Sequence, residues 1–556
     1  MAFGNRWAWL AAAAVVMSAG VAQAQQPPVD PGRLDERFRQ QPDAPDVRAV
    51  DVPELPRQDG VPESDLSVTL SAVRFEGAQA VPLAALDALA APYLGREMPL
   101  AEVFVLAEAV TAEYRSRGYV LSRAVVGPQR IEDGILTIQV LEGYVDRITI
   151  DGDAGGYAPF LTRYMDPVRE GRPTSGDALA RALLLARDLG GVDVRAVVSP
   201  SATAQGAADI SLVVERDPFE AFVAVDNRGS RWLGPVQVYG GVTLNDMLGM
   251  GERLSLTAVS APEDSELGFL SASYEQPLGW SGLRFNAFAS YADTEPGDEL
   301  ALLGLTGEST TWGMGFQYPF LRSRESNILG RLTFTARDAD SGNDFIDPVF
   351  DDSIRTLSAE VLANHADRWG GLSSLRASAT QGLNIFEATS RADPNKSRAT
   401  ASGEFTRFNI ELSRIQPVVN GLYLRLGVVA QVTGDSLLAS EEFGLGGVQY
   451  GRAYDPSEIT GDEGVAGKVE LFYTLPPQGF ATVEPYAFYE GGEVSQNDPL
   501  PGEPRHASLE SAGVGVRLGF NDRFGASVEY AVPLGRDVAA EGNDDGRFFF
   551  TLSAAF

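Results

Sequence analysis

From Asp217 to Phe556 apolar and polar residues alternate with a period of two. Leu283, Phe285, Ala287, Ala289 and Tyr291 are interleaved with Arg284, Asn286 and Ser290; Leu422, Leu424, Leu426 and Val428 are interleaved with Tyr423, Arg425 and Gly427. Successive strand residues point to opposite faces, so each segment carries one apolar and one polar face. A soluble sandwich alternates too, but it does not need a wholly apolar face on so many strands with arginines on the face opposite. Roughly sixteen segments begin near residues 219, 235, 251, 267, 282, 310, 327, 353, 372, 403, 421, 465, 482, 509, 524 and 547. At about 21 residues per strand and connection, that fits tilted strands of ~9–11 residues plus loops. Short proline-bearing connections, Glu275-Gln276-Pro277-Leu278 and Thr474-Leu475-Pro476-Pro477, trade places with long acidic ones such as Asp293 to Ser309. The pattern predicts a β-dominated protein with a 16-stranded antiparallel transmembrane β-barrel over 217–556, its two ends on one side of the membrane.

Upstream the periodicity changes. Over 67–143, Val68, Val73 and Phe75 form a strand closed by Gly77, Leu83 to Leu94 and Leu100 to Arg117 have helical spacing, and Val120 to Val126 and Ile135 to Leu141 alternate as strands. Over 144–216 the order repeats: Ile148 to Ile150, helices Pro159 to Met165 and Ser175 to Leu189, then Val192 to Pro200 and Asp209 to Glu215. Two small α+β modules therefore precede the barrel, with sheet edges suited to capturing an extended peptide. Residues 25–66 hold a short polar helix, N-capped by Asp30 with Pro31 at its first position and with almost no apolar face, then a proline-rich extended linker. Composition fits a disordered leader equally well.

Met1 to Ala24 has Arg6, an apolar core from Trp7 to Val16 and a small-residue end at Ala22-Gln23-Ala24, which is a signal peptide (1–24) cleaved after Ala24. No later run approaches 20 apolar residues, so any span must be a closed barrel. With 44% apolar and 22% charged residues the chain is a folded protein, and its net charge of −32 argues against a nucleic-acid partner. His365 and His506 are the only histidines and there is no cysteine, so neither a nucleophile constellation nor a metal set forms; no catalytic residue, metal or cofactor is expected. Asp338-x-Asp340-x-Gly342-x-Asp344 departs from the EF-hand spacing and reads as a solvated acidic loop.

One late stretch stands apart. Gly446, Gly447 and Gly451 allow a tight fold around Arg452, and Tyr454-Asp455-Pro456 turns the chain back. Arg452, at the tip of a long loop from Val432 to Gly464, can fork onto a carboxylate. Glu490, in the strand-like Pro485 to Gly492, is the candidate partner. The arginine-glycine-aromatic tip and the aromatic-x-acid-x-glycine strand ending at Gly492 resemble motifs of the two-partner secretion outer-membrane transporters (TpsB) of the ShlB/FhaC/HecB type. Ala453 stands where that family usually has a second glycine, and Glu490 where it has aspartate. In the first module, Tyr114, Gly118 and Tyr119, then Pro128, Gln129 and Gly134, then Glu142 and Gly143, resemble its POTRA module. The last strand, with Phe548, Phe550 and Phe556 on one face, resembles the C-terminal signal of bacterial outer-membrane barrels.

The resemblance covers residues 67 to 556. It implies an outer-membrane transporter of a Gram-negative bacterium with periplasmic POTRA modules, exporting a large β-rich exoprotein (a TpsA-type client) such as a haemolysin or adhesin, with the N-terminal helix as a pore plug. Outer-membrane lipid, lipopolysaccharide and, during biogenesis, the barrel assembly machinery are the other implied partners. An insertase for other barrels, and a passive porin, are the competing readings.

Overall fold

The computed structural model describes residues 30–38, 66–204, 206–262, 266–476, 479, 481–521 and 523–556. The expected signal peptide and proline-rich linker lie outside the described residues. Among the described residues no helix is long and apolar enough to cross a membrane.

Sixteen strands close into one antiparallel barrel. They are β1 (Phe219–Asp226), β2 (Gln237–Asn245), β3 (Arg253–Ser260), β4 (Leu267–Pro277), β5 (Arg284–Thr294), β6 (Thr306–Arg322), β7 (Ser326–Gly342) and β8 (Phe350–Ala366). There follow β9 (Leu372–Gly382), β10 (Thr406–Val419), β11 (Leu422–Thr433), β12 (Glu463–Tyr473), β13 (Ala481–Ser495), β14 (His506–Phe520), β15 (Phe524–Leu534) and β16 (Arg547–Ala555). Apolar side chains such as Trp312, Met314, Phe316, Leu332, Leu357 and Val361 face out and stay exposed, while arginines and acids face the lumen. Closure abolishes the free edges that would otherwise leave backbone groups unpaired in lipid.

The closing seam is short: β16 meets β1 only from Thr551 opposite Asp226 to Ala555 opposite Phe222, whereas β6 and β7 pair from Thr306 opposite Gly342 to Arg322 opposite Asn327. Past the ladder, the Asn227 side chain donates to Phe548 O (2.9 Å) and accepts from Phe550 N (2.7 Å), and Phe556 exchanges backbone bonds with Ala221. Phe548 faces out and Phe556 is exposed at the end of the strand; the alternate residue Phe549 is buried in the lumen beneath Arg228.

Several connections differ from the sequence expectation. β5 and β6 take only the two ends of the expected acidic loop Asp293 to Ser309, and the connection left between them holds a 3-10 turn, Asp298–Leu303. Asp338, Asp340 and Gly342 lie on β7 rather than in a loop, because β6, β7 and β8 pair well beyond the apolar belt. Asp338 is held by Arg355 (2.7 Å) and Ser353 (2.6 Å).

Both α+β modules have a three-stranded sheet in which the first and last strands pair in parallel. In the first, the sheet order is Ala72–Glu76, Ile135–Leu141, Arg123–Val125, against helices Leu83–Ala90 and Ala101–Ser116. The expected first strand is split: Ser67–Thr69 pairs instead with Glu97–Pro99, an element whose three residues are too short for periodicity to show. In the second, Tyr144–Gly152, Ala207–Arg216 and Val192–Pro200 pack on Gly176–Arg187. The two are not independent bodies. Leu121, in the turn between helix Ala101–Ser116 and strand Arg123–Val125 of the first module, is buried in the core of the second, and Gly176 N donates to Gly118 O (2.7 Å) across the joint. The second module is also seated on the barrel turns, where Asp188 takes a two-pronged bond from Arg322 (3.0 and 2.7 Å) and Phe160 packs on Trp280.

Candidate functional site

The connection between β11 and β12 folds back into the lumen. A small hairpin, Phe443–Leu445 with Ile459–Gly461, carries its tip. Gly446, Gly447 and Gly451 have φ of +115°, +90° and +89°, and a Cβ on Gly446 would strike Asp455 O at 2.1 Å, so the turn demands glycine. Ala453 has no such φ and is fully buried, which explains why a methyl group is accepted there.

Arg452 sits at the tip, buried. Its Nε lies 3.2 Å from Glu490 Oε2; its Nη1 lies 2.9 Å from Glu470 Oε2 and 3.2 Å from Glu529 Oε2. Glu490 Oε1 meanwhile accepts from the backbone N–H of Gly451 (2.9 Å) and Arg452 (2.5 Å) and from Ser511 Oγ (3.0 Å). The extra methylene of glutamate is thus used: one oxygen reaches the loop backbone, the other the guanidinium. The guanidinium lies 3.5 Å from the Phe488 ring centre. Gly513 and Gly515 on β14 make room for the Phe488 and Tyr486 rings, where any Cβ would lie within 2.6 Å of them. Gly492 plays the same part for the hairpin, since a Cβ there would meet Leu445 at 2.8 Å. Tyr454 is buried with its hydroxyl on Leu534 O (3.2 Å), and Asp455 pairs with Arg547 (2.8 Å).

Sequence reasoning offered Arg452 one partner; the structure gives it three. Glu470 also takes Arg425 (2.7 Å) and Arg517 (2.9 Å), and Glu529 takes Arg228 (3.0 Å) and Tyr486 (2.8 Å). The signal was present. Glu470 alternates with Val469 and Leu471, and Glu529 with Val528 and Tyr530, so both carboxylates had to face the lumen.

The N-terminal helix occupies the same half of the lumen. Asp30 caps it by accepting from Gly32 N (2.8 Å), Pro31–Arg33 form a 3-10 turn, and Leu34–Phe38 continue as α-helix. Its expected lack of an apolar face is corrected: Leu34 and Phe38, four residues apart, bury against Val259, Leu267, Phe269 and Ala292 of the wall. Arg33 donates to Ala439 O (2.7 Å) and Glu442 O (2.9 Å) of the folded-back loop, and Ser290 donates to Asp35 (2.6 Å). The connection after β9 completes this closure. Its Arg398 reaches Leu437 O (2.9 Å), Asp462 (2.5 Å), Glu442 (3.0 Å) and Gln496 (2.8 Å). Below lies a cavity of about 1150 Å³, bounded by Asp217, Glu220 and Phe556 at the end that carries the modules and by Glu36, Glu441 and Phe443 at its ceiling.

In the first module the motif residues hold the fold. Tyr114 is fully buried and donates to Glu142 Oε1 (2.8 Å), which also accepts from Gln79 N and Ala80 N (2.6 Å each). Burial, and then this bond, pushes the phenol above its ordinary pKa and keeps it a donor. Gln129 brackets the backbone of Thr137 (2.7 and 2.9 Å) beside the exposed bend at Pro128. Gly118 and Gly134 have φ of +87° and +73°, Tyr119 N returns to Tyr114 O (3.0 Å), and a Cβ on Gly143 would strike Leu121 O at 2.1 Å. Gly118 and Gly143 belong to the joint between modules as much as to the first module.

Residues 206–518 match the haemolysin secretion/activation protein family ShlB/FhaC/HecB, and residues 68–143 match the ShlB-type POTRA domain. The heme/hemopexin transporter protein HuxB of Haemophilus influenzae is 22% identical over 84% of this chain and 82% of its own. The outer membrane transporter CdiB of Dickeya dadantii is 25% identical over 81% and 80%. The structure of CdiB from Escherichia coli superposes with a TM-score of 0.68 at 21% identity, covering 90% of this chain and 93% of that one, a likeness of fold.

Proposed function

The chain belongs to the ShlB/FhaC/HecB family of haemolysin secretion/activation proteins, and from that premise we propose that it exports one large β-rich partner protein through the outer membrane. The supporting observation is the lumen, open and polar on the module side and closed on the loop side by the Arg452 loop and the N-terminal helix. In this reading the modules lie in the periplasm, where their sheet edges take up the unfolded N-terminal part of the client. The client enters the polar cavity, the helix leaves the lumen to make way, and Arg452 holds its loop and the β12–β15 wall in one arrangement while the chain passes. The barrel sits among outer-membrane lipid and lipopolysaccharide and reaches the membrane through the barrel assembly machinery. Phe548, Phe550 and Phe556 serve there as the terminal signal. No step of this scheme needs a catalytic residue.

Deleting the gene tests it. One large exoprotein should be stranded in the periplasm with the outer-membrane protein profile unchanged. A general fall of outer-membrane proteins would instead identify an insertase, and loss of small-sugar permeation with normal export a porin.

A further inference from the structure

The connection after β9 has a second arm, outside the barrel. Gly382 is the last β9 residue paired with β8, opposite Thr356, and the chain then stays on the β8 edge. Leu383 N donates to Arg355 O (2.7 Å), Thr389 N to Ser353 O (2.8 Å), and Ser353 N to Thr389 Oγ1 (2.7 Å). Between these two fixings Asn384 to Glu387 are thrown outward, exposed. Phe386 and Glu387 adopt consecutive left-handed conformations, φ +50° and +61°, which non-glycine residues rarely take unless the surroundings impose them. The result presents two apolar side chains away from the protein: Phe386 is 70% exposed and Ile385 42%.

What they face is given by the wall. Phe386 makes an edge contact with Phe334 (6.5 Å between ring centres), which in turn touches Trp312 (5.7 Å). Phe334 pairs with Met314 and Leu357, all on the outer apolar face. Immediately beyond this level the outer face turns polar: Asp338 with Arg355, then Glu308, Asp340 and Asp351 on neighbouring strands. Phe386 therefore extends the topmost layer of the lipid-facing belt.

Resting on the outer-membrane reading above, we propose that Ile385 and Phe386 insert into the acyl-chain region of the outer leaflet and anchor this connection to the membrane. A strained, stapled backbone that displays an aromatic ring to water would be destabilising. The same ring continuous with a lipid-contacting surface is in its preferred solvent. Arg398, on the inner arm of the same connection, ties it to the loop that carries Arg452. The segment thus straddles the rim, one arm in lipid and one in the closure.

The chain has no cysteine, so single nitroxide labels can be placed cleanly. Phe386→Cys, Val361→Cys on the belt and Val197→Cys in the second module are labelled in vesicles of phosphatidylethanolamine and phosphatidylglycerol. Collision with oxygen, which concentrates in hydrocarbon, is compared with collision with a water-soluble nickel chelate. Position 386 should be oxygen-dominated like 361, with an oxygen-to-nickel ratio several-fold above that at 197. A label at Ile385→Cys, which keeps Phe386, should read the same. Nickel-dominated collision at 385 and 386 with oxygen-dominated collision at 361 would overturn the anchor while leaving the barrel in its membrane. Nickel-dominated collision at 361 as well would remove the membrane reading and the anchor with it.

Discussion

On the β12–β15 side of the lumen Arg452 is buried and shared among Glu470, Glu490 and Glu529, and nearer the loops Arg398, its side chain 11% exposed, is shared among carboxylates and carbonyls of different connections. On the β7–β9 side, Arg331 and Arg376 also meet a carboxylate, Glu360, at 2.7 and 3.1 Å, but these pairs line the cavity. The chemistry is the same and the solvent differs. The second set keeps 14–25% of its side-chain surface on the cavity, where screening weakens each pair and lowers the cost of exchanging partners. Exclusion of water from the first set makes any missing partner expensive, which favours one arrangement over its alternatives. One half of the lumen is fitted to hold a shape and the other to let a chain slide.

The sharpest way to break that contrast is Arg452→Ala. Glu470 keeps Arg425 and Arg517, and Glu529 keeps Arg228, but Glu490 is left a buried carboxylate with only Ser511 and two backbone donors. A buried pair broken on one side costs about 3–5 kcal/mol. Export should fall to background while the heat-resistant barrel band remains, and Glu490→Ala should do the same. Because three acids share the arginine, a double-mutant cycle of Arg452 with Glu490 should be strongly non-additive, and weaker coupling should appear with Glu470 and Glu529. Normal export by Arg452→Ala would mean that the closed half holds no functional shape.

Next comes a lock. A Cβ at Gly32 would stand 3.3 Å from Ala339 Cβ, close to disulfide spacing, but 2.8 Å from Ser440 Cβ, so the pair is made in a Ser440→Gly background. Oxidised Gly32→Cys/Ala339→Cys should block export, and reduction should restore it; export by the oxidised form would show that the helix need not leave. A smaller effect is expected of Arg398→Gln. Asp462 still accepts from Leu437 N and Asn497 N, so the loss is of order 1–3 kcal/mol. It should appear as raised resting conductance in planar bilayers with export only partly reduced. Smallest of all, Glu360→Gln on the open side should change barrel stability by about 1 kcal/mol and export hardly at all. A large loss there would erase the distinction between the halves.

The barrel was legible because period two is a strong signal over many strands; β1, β4, β9, β15 and β16 begin at the expected residue. Arg452 and Glu490 were legible because the glycines around one cation have few other uses. What could not be read locally depends on what lies across the lumen. Glu470 and Glu529 look like ordinary polar strand positions until closure points them at one guanidinium. Leu34 and Phe38 look too few to make a face, yet a concave wall lets two side chains bury a whole helix turn. Nor could Leu121 be placed locally: it belongs in sequence to the first module and is buried in the core of the second, from which a deletion of 67–143 would remove it.

The short meeting of β16 with β1 gives the wall a direction of weakness. Hoop tension in a closed sheet is uniform around the circumference, so a cylinder loaded from within tears where it has the fewest bonds to share the load. Here that place is the Thr551–Ala555 ladder with its Asn227 patch. Two strand edges parted there keep matching rows of backbone donors and acceptors, and the tear can mend in register along the same line.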